Sequence, residues 1–202
     1  GYETYFNTLD LGFNITYFDI LVEDPIMGSN ITSFQDNVPG AENKSKGIEL
    51  ATNWTDNKKL NIGFNYTYTK SYSGMDCDKP KKDAYGYTSC LDLNNGPIDS
   101  AMVRVPLHAI SSKINYQINK DLNSSLLLTY KGRTRDYGGT DYNFRDQILD
   151  EYLLLDLASS YKIGEGLKFN FSLRNIFDKN YEDALDYSGI PRTMNIGLNM
   201  KF

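Results

Sequence analysis

Thr193-Met-Asn-Ile-Gly-Leu-Asn-Met-Lys-Phe202 is the stretch on which the fold turns. Met194, Ile196, Leu198, Met200 and Phe202 fall on one face of an extended strand, and Thr193, Asn195, Gly197, Asn199 and Lys201 on the other. Successive strand side chains point to opposite sides, so this segment carries one apolar wall and one wet wall. In a soluble sandwich the apolar wall looks onto a protein core. In a membrane barrel it looks onto lipid while the polar residues line a lumen.

Working outward, the same alternation recurs along the chain. Leu9, Leu11, Phe13, Ile15 and Tyr17 alternate with Asp10, Gly12, Asn14 and Thr16, a long first strand that Glu23-Asp24-Pro25 ends, since Pro cannot donate to a ladder. Ile48, Leu50, Thr52 and Trp54 mark a second strand, closed by the turn Asp56-Asn-Lys-Lys59. Leu60, Ile62, Phe64, Tyr66 and Tyr68, set against Asn61, Gly63, Asn65, Thr67 and Thr69, give the third and clearest. A fourth is expected from Met102 to Ile118 and ends at Asn119-Lys-Asp121, and a fifth holds Leu126, Leu128 and Tyr130. Leu153, Leu155, Leu157, Tyr161 and Ile163 define the sixth, Gly164-Glu-Gly166 its turn, and Leu167, Phe169, Phe171 and Leu173 the seventh. With the terminal strand this predicts an eight-strand antiparallel meander.

The connections alternate in length. Turns after the second, fourth and sixth strands are short, whereas the loops after the first, third, fifth and seventh are long, the longest running from about Ser73 to Ala101. A sandwich has no reason to gather its long loops at one end. An outer-membrane barrel does, with short periplasmic turns and long extracellular loops. Several strands also exceed the usual soluble length of about five or six residues. Among 202 residues, 16 Tyr and 10 Phe suit aromatic girdles at two membrane interfaces. No apolar run is long enough for a transmembrane helix, and the mean hydropathy of −0.49 does not exclude barrel strands, which average out to polar. The net charge of −5 gives no sign of a nucleic-acid partner. The chain starts at Gly1-Tyr-Glu-Thr without Met or signal peptide, as a processed protein or a piece of a longer one does. The reading is therefore all-β: an up-and-down transmembrane β-barrel wall.

Arg174-Asn-Ile-Phe-Asp-Lys-Asn-Tyr-Glu182, then Tyr187-Ser-Gly-Ile-Pro-Arg192, then the alternating strand to Phe202, resembles the C-terminus of TonB-dependent outer-membrane receptors. The family pattern there runs Asn-Leu-Phe-Asp-Lys-x-Tyr-Glu, a short loop, Gly-Arg and a final aromatic. This chain carries Ile176 for Leu and Pro191-Arg192 for Gly-Arg. Asn43-Lys-Ser-Lys-Gly-Ile-Glu49 resembles a Gly-[Ile/Val]-Glu segment common in the family. The resemblance implies a plugged 22-stranded barrel of which residues 1–202 form the last eight strands, plug and upstream strands being absent. It further implies energy-coupled uptake of a metal chelate, a siderophore or cobalamin, with the TonB complex engaged only through that plug. No cofactor of its own is implied.

Particular residues then acquire expected roles. Phe202, with the alternation before it, resembles the signal read by the barrel assembly machinery; an interfacial anchor is the plainer reading, and both can hold. In an oxidising envelope Cys77 and Cys90 are expected to form a disulfide that constrains the longest loop, free thiols being the alternative. Asp76, Asp78 and Asp83 offer oxygens to Ca²⁺, but Lys79, Lys81 and Lys82 between them favour a solvated loop. Arg133, Arg135, Tyr137, Tyr142, Phe144 and Arg145 gather after the fifth strand, where guanidinium groups and aromatics can grip an anionic aromatic chelate. Their plainer role is in the girdle and on lipopolysaccharide phosphates. His108 is the only histidine, so neither a Ser-His-Asp triad nor a two-histidine metal site can be built, and no enzyme is expected.

Two other architectures compete. A self-contained eight-stranded barrel with a structural or adhesive role is permitted by strand number, but a narrow barrel fills its inside with large or ion-paired side chains. The wet face here is mostly Asn, Ser, Thr and Gly, which favours an arc of a wider lumen. An arc alone leaves two open edges, expensive in lipid, so it should either close on itself or require further strands. A soluble sandwich would bury the apolar faces against each other, against which the loop asymmetry argues.

Overall fold

The computed structural model describes residues 1–28, 35–37, 41–56, 58–75, 102–138 and 145–201. In chain order the strands are β1 (Tyr2–Phe6), β2 (Leu11–Glu23), β3 (Ile26–Gly28), β4 (Gln35–Asn37), β5 (Ala41–Thr55), β6 (Leu60–Met75), β7 (His108–Gln117), β8 (Leu122–Lys131), β9 (Thr134–Gly138), β10 (Arg145–Leu149), β11 (Tyr152–Ile163), β12 (Leu167–Arg174), β13 (Glu182–Ala184), β14 (Tyr187–Ser188) and β15 (Thr193–Met200). Nine of them form one sheet in the order β1-β2-β5-β6-β7-β8-β11-β12-β15, every neighbouring pair antiparallel and consecutive. The remaining strands are three hairpins, β3–β4, β9–β10 and β13–β14, all inserted in the long connections.

The meander is thus the expected one, with one strand more. β1 escapes the sequence pattern because Tyr2, Tyr5 and Phe6 do not alternate with polar residues, yet it pairs with β2 from Tyr2↔Ile15 to Phe6↔Leu11. β5 also begins earlier than Ile48, since Asn43-Lys-Ser-Lys46 is polar on both faces and shows no alternation. β7 starts at His108 instead of Met102. β1 and β15 do not pair with each other, so the sheet is an open arc and not a closed eight-stranded barrel.

Short turns occupy one end. Asp56 Oδ1 accepts the backbone N–H groups of Lys58, Lys59 and Leu60 at 2.9, 2.7 and 2.8 Å, and these donors hold its carboxyl below the ordinary carboxylate value. Asn119 Oδ1 does the same for Asp121 and Leu122 at 2.9 and 3.0 Å. Asp and Asn favour such turns because the side-chain oxygen replaces a backbone acceptor.

Register turns the alternation into surfaces. Phe6, Leu11, Trp54, Ile62, Ile114, Leu126, Leu157, Leu173 and Met194 are paired in succession across all nine strands, and every member is apolar. Nearer the long loops runs Ile15–Leu50–Tyr66–Ile110–Tyr130–Leu153. Among the described residues nothing covers this face: Met194, Ile196, Leu198 and Met200 are 61, 62, 62 and 61% exposed. Only Leu149 and Tyr152 of the described residues are buried hydrophobics. A water-soluble chain of this size would bury a core, and a contiguous exposed apolar face this broad marks a surface made for lipid. Aromatics flank the band, with Tyr17, Tyr68 and His108 towards the long loops and Tyr116, Tyr161 and Phe169 towards the turns.

Candidate functional site

The opposite face is polar and small. One register step from the apolar row, Thr55, Asn61, Asn115, Ser125, Ala158, Ser172 and Asn195 pair across seven strands. Ser125 Oγ donates to Asn115 Oδ1 at 2.7 Å, and Asn115 Nδ2 to Asn61 Oδ1 at 3.4 Å. Asn123, Ser160, Asn170 and Gly197 extend this concave wall towards the turns. Such side chains offer donors and acceptors without filling space, so the wall suits a water-lined lumen.

At the long-loop end three segments are locked together by one carboxylate. β9 buries Thr134 and Asp136 on one side and leaves Arg133, just before it, exposed. Asp136 is 1% exposed, and its Oδ2 accepts from Arg104 Nε at 3.0 Å and from the Leu185 backbone N–H at 2.8 Å. The Arg104 N–H reaches the Arg135 carbonyl at 2.8 Å, which helps hold Arg104 in a left-handed backbone at φ 63°. A buried carboxylate needs this company, because an uncompensated charge in the protein interior is costly.

A second cluster sits beside it. Lys131 Nζ lies 3.1 Å from Asp183 Oδ1, the Tyr152 hydroxyl donates to the same oxygen, and the Tyr152 and Tyr181 rings meet at 4.5 Å. The Tyr152 hydrogen bond first, and Lys131 after it, hold the Asp183 carboxyl below its ordinary value. A third element pins the last long connection. Asn175 is 3% exposed and left-handed at φ 48°, a conformation Asn tolerates better than most residues. Its Nδ2 donates to the Lys179 and Ile190 carbonyls at 2.9 and 3.1 Å, its Oδ1 accepts from Lys179 N–H at 2.9 Å, and its own N–H reaches Asp156 at 2.8 Å. Asp178, also left-handed, accepts the Arg192 N–H at 2.8 Å. A Cβ at Gly189 would stand 2.2 Å from the Tyr181 ring, so any larger residue there would have to displace that ring.

The expected ligand residues divide. Arg135 and Tyr137 lie on β9 and Arg145 opens β10, where it pairs with Gly138, so one hairpin carries them, with Arg133 just before it. Tyr142 and Phe144 lie outside the described residues, as do Cys77, Cys90, Asp76, Asp78, Asp83 and Phe202. His108 stands on the lipid-facing side, its Nδ1 2.9 Å from the Tyr66 hydroxyl, a girdle contact. Among the described residues no three His, Cys, Asp or Glu side chains are grouped to hold a metal ion. Sequence reading missed Arg104, Asp136, Asp183 and Asn175. Only Asn175 carried a signal, as the first residue of the Asn-Ile-Phe-Asp-Lys motif.

The model of the TonB-dependent receptor-like β-barrel matches residues 1–176. The chain belongs to that family. Its members are TonB-dependent receptors, and they reside in the outer membrane of Gram-negative bacteria. No curated protein matches the chain significantly. Among solved structures, the siderophore receptor PiuA from Acinetobacter baumannii is similar at 20% identity and TM-score 0.69, over 98% of this chain and 27% of that one. The pyoverdine outer membrane receptor FpvA from Pseudomonas aeruginosa is similar at 17% identity and TM-score 0.70, over 95% and 27%. The ferric-catecholate import receptor Fiu from E. coli K12 is similar at 19% identity and TM-score 0.65, over 95% and 25%. The chain therefore spans about a quarter of the length of the receptors it matches.

Proposed function

We propose that this arc is the C-terminal part of the wall of a TonB-dependent receptor that takes up a ferric siderophore, coupled to TonB through a plug domain outside residues 1–202. The observation that carries the reading is the pair of registered rows, lipid-ready outside and lumen-ready inside, crowned by long connections at one end only. The siderophore receptors named among the structural neighbours support an iron chelate over cobalamin. Arg133, Arg135, Tyr137, Tyr142, Phe144 and Arg145 would meet the chelate at the extracellular mouth, where guanidinium charge and ring stacking suit an anionic aromatic ligand.

Uptake of radiolabelled iron, offered as a ferric catecholate or ferric pyoverdine, tests this in cells expressing the receptor that contains the chain. The reading expects TonB-dependent accumulation of one of these, reduced when Arg133 and Arg135 are changed to Ala. Accumulation of labelled cobalamin in place of iron would overturn the siderophore assignment.

A further inference from the structure

The lumen face of the wall carries a sheltered cation near the long loops. Thr16, Glu49, Thr67, Ala109, Lys131 and Tyr152 are paired in succession, one register step from the lipid-facing Tyr130 and Leu153. Lys131 and Tyr152 are direct ladder partners, so their side chains rise side by side from one face. The Lys131 side chain is 19% exposed and Tyr152 is buried, with the ammonium 5.9 Å from the Tyr152 ring centroid. This half of the cluster is built into the wall.

The carboxylate that meets the cation is not. Asp183 comes from the β13–β14 hairpin, and its side chain is 64% exposed. The register shifts between Glu182 and Ala184, which leaves Asp183 as the extra residue of a bulge, an irregularity that re-aims a side chain. It is aimed at Lys131. Nζ donates to Asp183 Oδ1 at 3.1 Å and to the Asp183 carbonyl at 3.4 Å, and the Tyr152 hydroxyl donates to the same Oδ1. Glu49, the other acid of that lumen row among the described residues, stands three strands from Lys131, about 14 Å away. Once Asp183 leaves, the row therefore holds no carboxylate to replace it, and an ammonium and a phenol converge on one point beside the lumen.

We infer that Lys131 and the Tyr152 hydroxyl form a binding site for a ligand carboxylate, and that the chain's own Asp183 fills this site as an internal competitor. A carboxylate arriving through the mouth takes the two donors and Asp183 swings out. The β13–β14 hairpin is then tied to the wall through the Leu185 N–H bond to Asp136 and, just before it, the ring contact of Tyr181 with Tyr152. One carboxylate replaces another on the same ammonium, so the charge stays paired. Ligand and hairpin are thereby linked: binding loosens the hairpin, and the hairpin lowers the apparent affinity for the ligand. The inference rests on the lumen reading of this face under the proposed uptake, but on neither iron nor any particular chelate.

The test uses the whole receptor purified in detergent and titrated with succinate, with succinamide as the uncharged counterpart. Saturation-transfer NMR reads the affinity, and hydrogen exchange reads residues 182–188. With Asp183 in the site about nine-tenths of the time, its removal in Asp183→Ala should tighten succinate binding about tenfold. Lys131→Met should weaken binding about tenfold, and Lys131→Arg should largely retain it. Lys113, exposed on the same face two lumen rows nearer the turns, is the control, and Lys113→Gln should leave the affinity unchanged. In the unaltered receptor succinate should quicken exchange in 182–188, and succinamide should not. An Asp183→Ala receptor that binds succinate no better, as a purely structural anchor would give, overturns the inference. So does hairpin exchange that succinate leaves unmoved, and this arm needs no variant, so it stands even where a substitution impairs folding. Iron uptake is not read, so this result and that of the siderophore test can fail separately.

Discussion

The wall and the loop end of this molecule are held together by different physics. In the wall, each side chain's environment follows from its parity and its ladder partner, and a single register step separates Leu126 from Ser125, lipid from water. At the loop end the contacts that hold the segments do not follow a period. Asp136 is satisfied by Arg104, 32 positions earlier, and by Leu185, 49 positions later. The wall is a pattern repeated across strands, so one substitution is felt according to the face it lands on. The loop end is a set of individual latches, so one substitution releases a particular segment.

The largest effect should come from putting charge into the middle of the outer face. Leu128 lies between the row of Tyr130 and Leu153 and the row of Leu126 and Leu157. Leu128→Arg should cost about 2–4 kcal/mol in denaturant unfolding from bilayers, as expected for Arg near the midplane. Thr129→Arg, one residue on but facing the lumen, should stay within about 0.5 kcal/mol. Equal costs at the two positions would break the distinction between the faces.

A smaller and local effect is expected at the latch. Arg104→Ala leaves the Asp136 carboxylate, 1% exposed, with one strong donor fewer, a loss of about 2 kcal/mol. Hydrogen exchange should quicken around 133–138 and 182–188 while the amides of β8 and β11 keep their protection. If the wall amides quicken as well, the two regions are not separable.

The smallest effect is a pH dependence. The Asp183 carboxyl has a depressed folded value, so its contribution is present above the ordinary 3.8 and is lost as pH falls through that lowered value. The side chain is 64% exposed, so screening keeps the contribution small. Protease cleavage within 182–188 should rise only below about pH 4, and Asp183→Asn should remove that step.

Legibility in the sequence follows the same division. β2, β6, β12 and β15 could be read directly, because one face is greasy and the other is Asn, Ser, Thr or Gly. β1 could not, since its aromatics fall on both parities, and neither could the Lys44–Lys46 half of β5, which rises past the apolar band and needs no alternation. The hairpins β3–β4, β9–β10 and β13–β14 are too short to show a period. The Asn175 staple was legible as a motif but not as a mechanism: only the fold brings Lys179 and Ile190 to its amide. Asp136 gave no signal, because a buried carboxylate is defined by partners far away in the chain.

Leu127 offers the most direct test of the two-faced wall. By residue type it belongs in lipid; by register it sits between Lys113 and Asp156 on the lumen face. With Cys77 and Cys90 replaced by Ser and the receptor reconstituted in bilayers, nitroxide labels placed singly from Ser124 to Tyr130 would be probed with lipid-soluble oxygen and a water-soluble nickel chelate. The account predicts strict alternation, oxygen dominating at 126, 128 and 130 and nickel at 125, 127 and 129. A label at 127 that sees oxygen and not nickel would contradict it.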